Sequence, residues 1–221
     1  MKNIAVYSTD YGDYSYHYTV PKQTVNADYY LFTENPKLHI DGWQTIYKPL
    51  CLNLPRMNHK YIKFNSHRFF PTYDYIIWID LGWQIVSPTF VETAVEYLKK
   101  DYFVVSHSNR KTMHEEIQAA RTCFKYDESL LDKQEEDYKK AGFPEPYSEM
   151  CGTGIIFRDN SEKVKRIEIE AWYQMCEYGS LCQAVIPFVF WKLKEKIGFI
   201  NNNDWVEKLK VKRVGHAHNV A

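Results

Sequence analysis

The stretch YDYIIWIDLGWQIV, from Tyr73 to Val86, restricts the fold more than any other part of the sequence. Its apolar residues predict a strand, yet Asp80 stands in the middle of the run and is followed directly by Leu81-Gly82. Aspartate is a poor strand residue, and burying its carboxylate without a partner is energetically unfavourable. We therefore expect another group to compensate the charge of Asp80.

Short apolar runs of this kind recur along the chain and alternate with stretches of helical spacing. The other predicted strands are residues 4–8, 29–33, 43–47, 102–106 and 151–158, and the predicted helices are 54–70, 90–100, two within 111–140, 161–178 and 182–196. This alternation indicates an α/β fold with a mostly parallel central sheet. Since no repeat or Pro/Ser-rich linker divides the sequence, we expect one domain over residues 1–221.

The composition restricts the partners of the protein. Lys and Arg (28) balance Asp and Glu (28), so no overall field favours nucleic acid or an anionic membrane surface. No apolar run reaches the length of a membrane span. The five cysteines are an odd number without zinc-type pairing, which indicates reduced thiols. We expect a soluble cytoplasmic protein.

Polar residues follow several predicted strands, where ligands of open α/β sheets bind. They are Ser8-Thr9-Asp10, Asp80 and His107. A divalent metal at Asp80 would supply the missing countercharge. Alternatively, Asp80 is a strand-end residue that caps a turn, and its position alone favours neither interpretation.

The tail sequence GHAH is a second candidate for metal ligation. His216 and His218 occupy alternate positions and project to the same side of an extended segment. The alternative is a solvated terminus, which is the more frequent role of such a tail.

A cationic stripe lies on the predicted helix 54–70. Arg56, Lys60, Lys63 and His67 are spaced by four, three and four residues, which places them on one face. Like charges on one face repel unless an anion is bound, and a diphosphate at the strand ends would bind there. The alternative is a solvated flank beside acidic loops.

Glu149 precedes the Gly152-Thr153-Gly154 turn, where small residues allow a ligand to approach the backbone. A carboxylate there would act as a general base or hold sugar hydroxyls. It would equally suit the surface of a Pro-rich loop. The sequence contains no P-loop, dinucleotide-binding or nucleophile-elbow motif, so these chemistries have no support.

These segments together resemble a known family. The order VYSTDYGDY, HKYIKFNSHRFFPTYDYIIWIDLGWQIVSP, SHSNRKTMHEEIQAA and YKKAGFPEPYSEMCGTGIIFR, followed by a Trp-containing helix, is similar to a glycosyltransferase-like family of plant Golgi, bacterial and large algal-virus proteins. That family was first catalogued as a domain of unknown function. The similarity spans nearly the whole chain.

The resemblance implies a GT-A-like nucleotide-sugar-binding sandwich that uses Mn²⁺ or Mg²⁺. It implies that Asp80 and His216 hold the metal, and the spacing of the tail adds His218. The implied donor-binding residues are Tyr7, Ser8, Thr9, Arg56, Lys60, Lys63, Asp80 and Gln183, to which the small residues of the turn add Gly152. The predicted catalytic residues are Asp80 and, from its place before that turn, Glu149.

Two departures from the family pattern stand out. The usual Asp-x-Asp reads Asp80-Leu81-Gly82, and Cys182-Gln183 stands where Asp-Gln is usual. The leading hypothesis is a metal-assisted glycosyltransferase that moves a sugar from a nucleoside diphosphate, with uridine as the expected base, to a hydroxyl of a glycan or glycoprotein. The alternative is a non-catalytic nucleotide- or carbohydrate-binding module. A sugar nucleotidyltransferase ranks lower because the Gly-rich N-terminal loop is absent.

Overall fold

The computed structural model describes residues 2–12, 19–98, 102–107, 109–123, 126–144, 150–200 and 205–214. Strands and helices alternate along these segments. The strands are β1 (Ile4–Asp10), β2 (Asp28–Thr33), β3 (Gln44–Tyr47), β4 (Tyr75–Ile79), β5 (Trp83–Ile85), β6 (Tyr102–Ser106), β7 (Cys151–Asp159), β8 (Gly198–Ile200) and β9 (Val211–Arg213). The helices are α1 (Pro55–Lys63), α2 (Ser66–Phe69), α3 (Phe90–Tyr97), α4 (Met113–Arg121), α5 (Glu128–Lys140), α6 (Glu162–Tyr178), α7 (Cys182–Lys192) and α8 (Trp205–Leu209).

Seven strands form the main sheet in the order β3-β2-β1-β4-β7-β6-β8. The pairings β1 with β2, β1 with β4, β2 with β3 and β6 with β8 are parallel. Strand β7 runs antiparallel to both of its neighbours, β4 and β6. The predicted α/β fold with a mostly parallel sheet is therefore confirmed.

Helices cover both faces of the sheet, because alternate residues of its central strands point to opposite sides. On β1, Ala5 and Tyr7 join one buried cluster, which also contains residues of α1, α6 and α7. Ile4 and Val6 join another, which contains residues of α3. A third cluster lies among α4, α5 and α7.

The predicted strand 73–86 is two strands separated by a turn at Asp80. Only β4 belongs to the main sheet, whereas β5 pairs with β9 in a small antiparallel sheet. The backbone N–H of Val214 also donates to the carbonyl of Gly82 at 3.0 Å. The polar residue inside the apolar run thus marks the end of a strand.

The predicted helix 54–70 is also divided, because α1 ends at Lys63 and α2 begins at Ser66. The predicted break within 111–140 is confirmed by α4 and α5. Side-chain caps explain where these helices start: Thr112 and Glu115 form a capping box, and Asp127 accepts from the N–H groups of Ser129 and Leu130. None of the helices in the described ranges is both long and apolar enough to cross a membrane.

Candidate functional site

The candidate site lies at the carboxyl ends of β1 and β4, which are adjacent and parallel. Because β7 is antiparallel, its first residues reach the same edge of the sheet, where the N–H of Asp80 donates to the carbonyl of Gly154 at 2.7 Å. Helix α1 packs on one face beside β1. Three strands and one helix therefore bring polar side chains together at this edge.

Asp80 accepts hydrogen bonds from two side chains and contacts a third. Its Oδ1 accepts from Lys63 Nζ at 3.0 Å and from Trp78 Nε1 at 2.6 Å, and it lies 3.5 Å from His59 Nε2. Lys63 is fully buried, whereas the Asp80 side chain is 34% exposed. The partner expected from the sequence is thus Lys63, seventeen residues earlier in the chain.

Electrostatics keep the Asp80 carboxylate ionised. Burial opposes the charge of Asp80, but the Lys63 ammonium and the contact with His59 outweigh it and hold the pKa of Asp80 well below its ordinary value. Burial lowers the pKa of Lys63, and the charge of Asp80 counteracts that effect. Asp80 therefore remains an anion at neutral pH.

His59 lies between β1 and Asp80. Its Nδ1 is 2.6 Å from Thr9 Oγ1, and its ring meets Trp78 edge-on at 4.9 Å between centroids. Burial lowers the pKa of His59 to about 4, so the imidazole is neutral at pH 7. His59 was not among the predicted site residues, although its position three residues after Arg56 and four before Lys63 puts it on the same helix face.

Lys60 reaches a different partner at the start of α7. Its Nζ donates to Cys182 Sγ at 3.2 Å, and Thr153 Oγ1 lies 2.9 Å from the same sulfur. Burial alone would raise the pKa of Cys182, but Lys60 and Lys63 outweigh it and lower that pKa. The thiol of Cys182 thus lies beside a cation.

Arg56 completes the cationic side of the site. Its guanidinium donates to Ser180 Oγ at 3.2 Å and lies 4.8 Å from the centroid of the Tyr126 ring. Arg56 and Lys60 are half-exposed, whereas Lys63 is buried. The predicted shared face of these three cations is present, but two of them are partly exposed and one is buried.

A buried network fixes the end of α1. The hydroxyl of Tyr7 donates to the carbonyl of Lys63 at 2.9 Å, and Arg158 donates to the same carbonyl at 3.0 Å. Arg158 also pairs with Glu168 and donates to the Tyr7 hydroxyl. These bonds satisfy a carbonyl that the helix end would otherwise leave unpaired. They hold Lys63 where its ammonium meets Asp80.

The glycines of the 152–154 segment allow close packing at this edge. A Cβ built on Gly154 would lie 2.7 Å from Trp83 Nε1 and 3.6 Å from Asp80 Oδ2, and one on Gly152 would lie 3.1 Å from Val105 Cγ2. A side chain at 154 would displace the Trp83 indole. Gly154 thus allows β7 to approach the turn that carries Asp80.

The predicted nucleoside-binding residues of β1 differ in their placement. Tyr7 and Ser8 are fully buried: Tyr7 supports α1, and Ser8 Oγ has no hydrogen-bond partner among the described residues. Their role in nucleoside binding stays a prediction. Thr9 contacts His59 and belongs to the site. Strand β1 is central and covered on both faces, which a short apolar run alone does not reveal.

Other predicted residues lie beside the site or outside the described ranges. His67 leaves the cationic stripe, because α2 turns it toward Glu168, which lies 3.0 Å from its Nδ1. Gln183 is half-exposed in the first turn of α7, next to Cys182. Glu149, His216 and His218 lie outside the residues that the structure describes.

The described residues do not fit a divalent cation at Asp80. Mn²⁺ and Mg²⁺ favour oxygen ligands, chiefly carboxylates. Within the described ranges, no group of three or more His, Cys, Asp or Glu side chains is placed to hold a metal ion. The Asp80 carboxylate already has an ammonium group at 3.0 Å. The predicted Mn²⁺ or Mg²⁺ therefore stays a prediction of the sequence.

Two surface grooves lie elsewhere on the molecule. One, of about 780 Å³, is lined by residues of α5, α6 and the end of α7, including Tyr178 and Trp191. The other, of about 300 Å³, lies between residues 52–57 and α6. Neither groove is lined by Asp80 or its partners.

One family model matches the part of the chain that contains α1 and β4 of this site. The family model described as "TOD1/MUCI70, glycosyltransferase-like domain" matches residues 20–159. This range includes α1 and β4, and with them the three cations and Asp80. No curated protein matches the chain.

Proposed function

The chain belongs to the TOD1/MUCI70 glycosyltransferase-like family, and from this premise we propose that it transfers a sugar from a nucleoside diphosphate to a hydroxyl group of a glycan or glycoprotein. Uridine is the base we expect in the donor. The structural observation that supports this proposal most strongly is the half-exposed pair Arg56 and Lys60 at the strand ends beside Asp80.

The reaction requires a site that tolerates growing negative charge. The bond between the anomeric carbon and the β-phosphate oxygen breaks, and the acceptor oxygen forms a bond to that carbon while its proton passes to a base. The diphosphate leaves as an anion, and cations placed beforehand lower the cost of its charge. Arg56 offers paired donors and Lys60 a point charge.

Of the two predicted catalytic residues, only Asp80 lies among the residues that the structure describes. Glu149, proposed as the base, lies outside the described residues. Asp80 lies in the site with its carboxylate partly exposed. We propose that its Oδ2 accepts a hydrogen bond from a sugar hydroxyl, since Oδ1 is occupied by Lys63 and Trp78.

A non-catalytic binding module is the second candidate. It is favoured by one observation: the carboxylate expected beside Gln183 is replaced by the thiol of Cys182. Such a module would bind the nucleotide without breaking the sugar bond. Turnover therefore separates the two candidates.

The test combines binding with turnover in a buffer that contains Mn²⁺ and Mg²⁺, so that a metal requirement does not hide activity. Thermal unfolding is recorded with UDP, GDP and their common sugar conjugates. A ligand at about 100 times its dissociation constant adds roughly 2.7 kcal/mol to stability. Release of nucleoside diphosphate from the same sugar conjugates is followed by mass spectrometry.

Stabilisation by one nucleotide together with its release from a sugar conjugate is the expected result. Stabilisation without release, also in the presence of mixed glycan acceptors, would favour the binding module. The absence of stabilisation by every nucleotide would contradict both the transferase and a nucleotide-binding module, and would leave a carbohydrate-binding module.

A further inference from the structure

Strand β6 brings further polar side chains to the edge of the sheet where Asp80 lies. Because β7 is antiparallel to both β4 and β6, these two strands end at the same edge. Strand β7 lies between them, so their ends are two strand spacings, about 10 Å, apart across the sheet. His107 and Arg110 follow the end of β6. A ligand that contacts Asp80 and extends across β7 would therefore approach them.

Arg110, Glu116 and His107 form a polar group beyond β6. Arg110 Nη1 donates to Glu116 Oε2 at 2.6 Å, and His107 Nε2 lies 3.5 Å from the same oxygen. His107 Nδ1 accepts from the backbone N–H groups of Asn109 and Arg110. Burial lowers the pKa of His107, so the ring is neutral at pH 7 and carries its proton on Nε2, facing Glu116. One oxygen of Glu116 thus meets donors from both His107 and Arg110.

Glu116 is fixed inside the fold, whereas Arg110 is partly open to solvent. The Glu116 side chain is 3% exposed and lies near the start of α4, which the capping box of Thr112 and Glu115 holds in place. The Arg110 side chain is 34% exposed. Among the described residues, its guanidinium contacts Glu116 and His107 through Nη1 alone. Within this part of the chain, Nε and Nη2 of Arg110 remain as donors to a ligand.

Tyr126 lies near both this group and the cations of α1. Its ring centroid is 4.8 Å from the Arg56 guanidinium. Burial raises the pKa of Tyr126 to about 12, and the charge of Glu116 adds to the rise. Lys60 and Arg56 counteract it. Both sets of charges therefore act on one hydroxyl, and a sugar nucleotide with its diphosphate at Arg56 and Lys60 can extend to Arg110.

We propose that Arg110 donates hydrogen bonds to hydroxyl groups of the donor sugar, and that Glu116 positions it for this contact. This inference rests on the proposed function, since it concerns the same donor. The charge of Arg110 is already matched by Glu116, so the pair suits an uncharged hydroxyl oxygen, which accepts hydrogen bonds. Arg56 and Lys60 keep the proposed contact with the diphosphate.

The test compares the binding of UDP and of a UDP-sugar to the wild type and to Arg110→Lys. Both ligands are titrated calorimetrically into the full chain with Mn²⁺ and Mg²⁺ and without acceptor; the conjugate is UDP-glucose, or whichever UDP-sugar releases UDP in the assay above. The lysine keeps the charge beside Glu116, so the fold is retained, but it lacks the second donor side of the guanidinium. We expect the affinity for the UDP-sugar to fall by about tenfold, as the loss of one charge-assisted contact implies, and that for UDP to change by less than about threefold.

The outcomes separate this inference from the proposed function. Equal losses for UDP and the UDP-sugar, or no loss for either, would overturn the inference and leave the proposed function standing. Absence of binding of both ligands to the wild type would overturn the proposed donor and this inference with it. The control is Arg166→Lys on α6, which makes the same substitution in a surface pair with Glu195 and should bind both ligands as the wild type does.

Glu116→Gln tests the positioning role. We expect it to weaken binding of the UDP-sugar about as much as Arg110→Lys does, with UDP affinity unchanged, because Arg110 then loses the charge that holds it. In the double variant the two losses should not add, since both act through one contact. Additive losses, or a UDP affinity that falls equally, would contradict the positioning role of Glu116.

Discussion

Two cations on the same side of the sheet are paired with carboxylates, and the pairs differ in access to solvent. Arg158 and Glu168 are both fully buried, and Glu168 also accepts from Ser66 and contacts His67. In the second pair, Lys63 is equally buried but Asp80 is 34% exposed. Both pairs meet at one group, because Arg158 donates to the carbonyl of Lys63.

The difference indicates which pair supports the fold and which supports binding. A buried ion pair depends on hydrogen bonds from protein groups. Ser66 and His67 supply them to Glu168, whereas Arg158 Nε has no partner among the described residues. Asp80 receives its donors on Oδ1 and has an exposed side that a ligand can reach. The Arg158–Glu168 pair, called the closed pair below, is therefore structural. The Lys63–Asp80 pair, called the open pair, is the candidate for function.

The largest expected effect comes from breaking the closed pair. Arg158→Met removes the cation and leaves the Glu168 charge fully buried, which typically costs about 3–5 kcal/mol. The free energy of unfolding in urea measures this loss. A cost below about 1 kcal/mol, the range of exposed pairs, would show that the network is not structural.

A pH titration of stability tests His59, the buried imidazole that contacts Asp80 of the open pair. The pKa of His59 is about 4 in the folded chain against an ordinary value of 6.5, so the unfolded chain binds more protons between these values. Stability is therefore present above pH 6.5 and is lost as pH falls toward 4, by at most about 3 kcal/mol. Asp80, whose pKa is depressed, adds a loss only as pH falls below its ordinary pKa of 3.8.

Urea unfolding of the wild type and of His59→Gln at several pH values measures this effect. The variant should have a flatter dependence on pH between 6.5 and 4. Identical slopes in the two proteins would mean that His59 is not the titrating group.

The smallest stability effect is expected at the ion pair of the site. Lys63→Met leaves Asp80 unpaired but partly hydrated, so we expect a loss of about 1–2 kcal/mol, less than for Arg158→Met. Urea unfolding provides the value, and Lys140→Ala, in an exposed pair, should cause no measurable change. A loss as large as that of Arg158→Met would remove the distinction between the two pairs.

The sequence predicted most of the strands and helices up to α7, because apolar runs and helical spacing are local signals, but it did not predict β8, α8 or β9. It did not predict that residues 73–86 form two strands, since β5 is separated from β4 only by the turn at Asp80 and finds its partner β9 far along the chain. The sequence also predicted α1 and α2 as one helix, because the apolar period continues across the break at residues 64–65. Contacts with distant segments therefore determine where both predicted elements are divided.

The sequence predicted some features of the site but not how its side chains are buried. The spacing of Arg56, Lys60 and Lys63 indicated a shared face, and the unusual position of Asp80 indicated a partner. The burial of Lys63 and Tyr7 depends on how α1 packs on β1, which spacing does not reveal. The Lys60 contact with Cys182 joins residues more than a hundred positions apart.

The pairing of β5 with β9 has a consequence for the order of folding. These strands are separated by more than a hundred residues, and with the Val214–Gly82 hydrogen bond they hold the turn that follows Asp80. Contacts between such distant segments form late, because the intervening chain must first be closed into a loop. A chain still being synthesised therefore lacks the finished turn until β9 has left the ribosome.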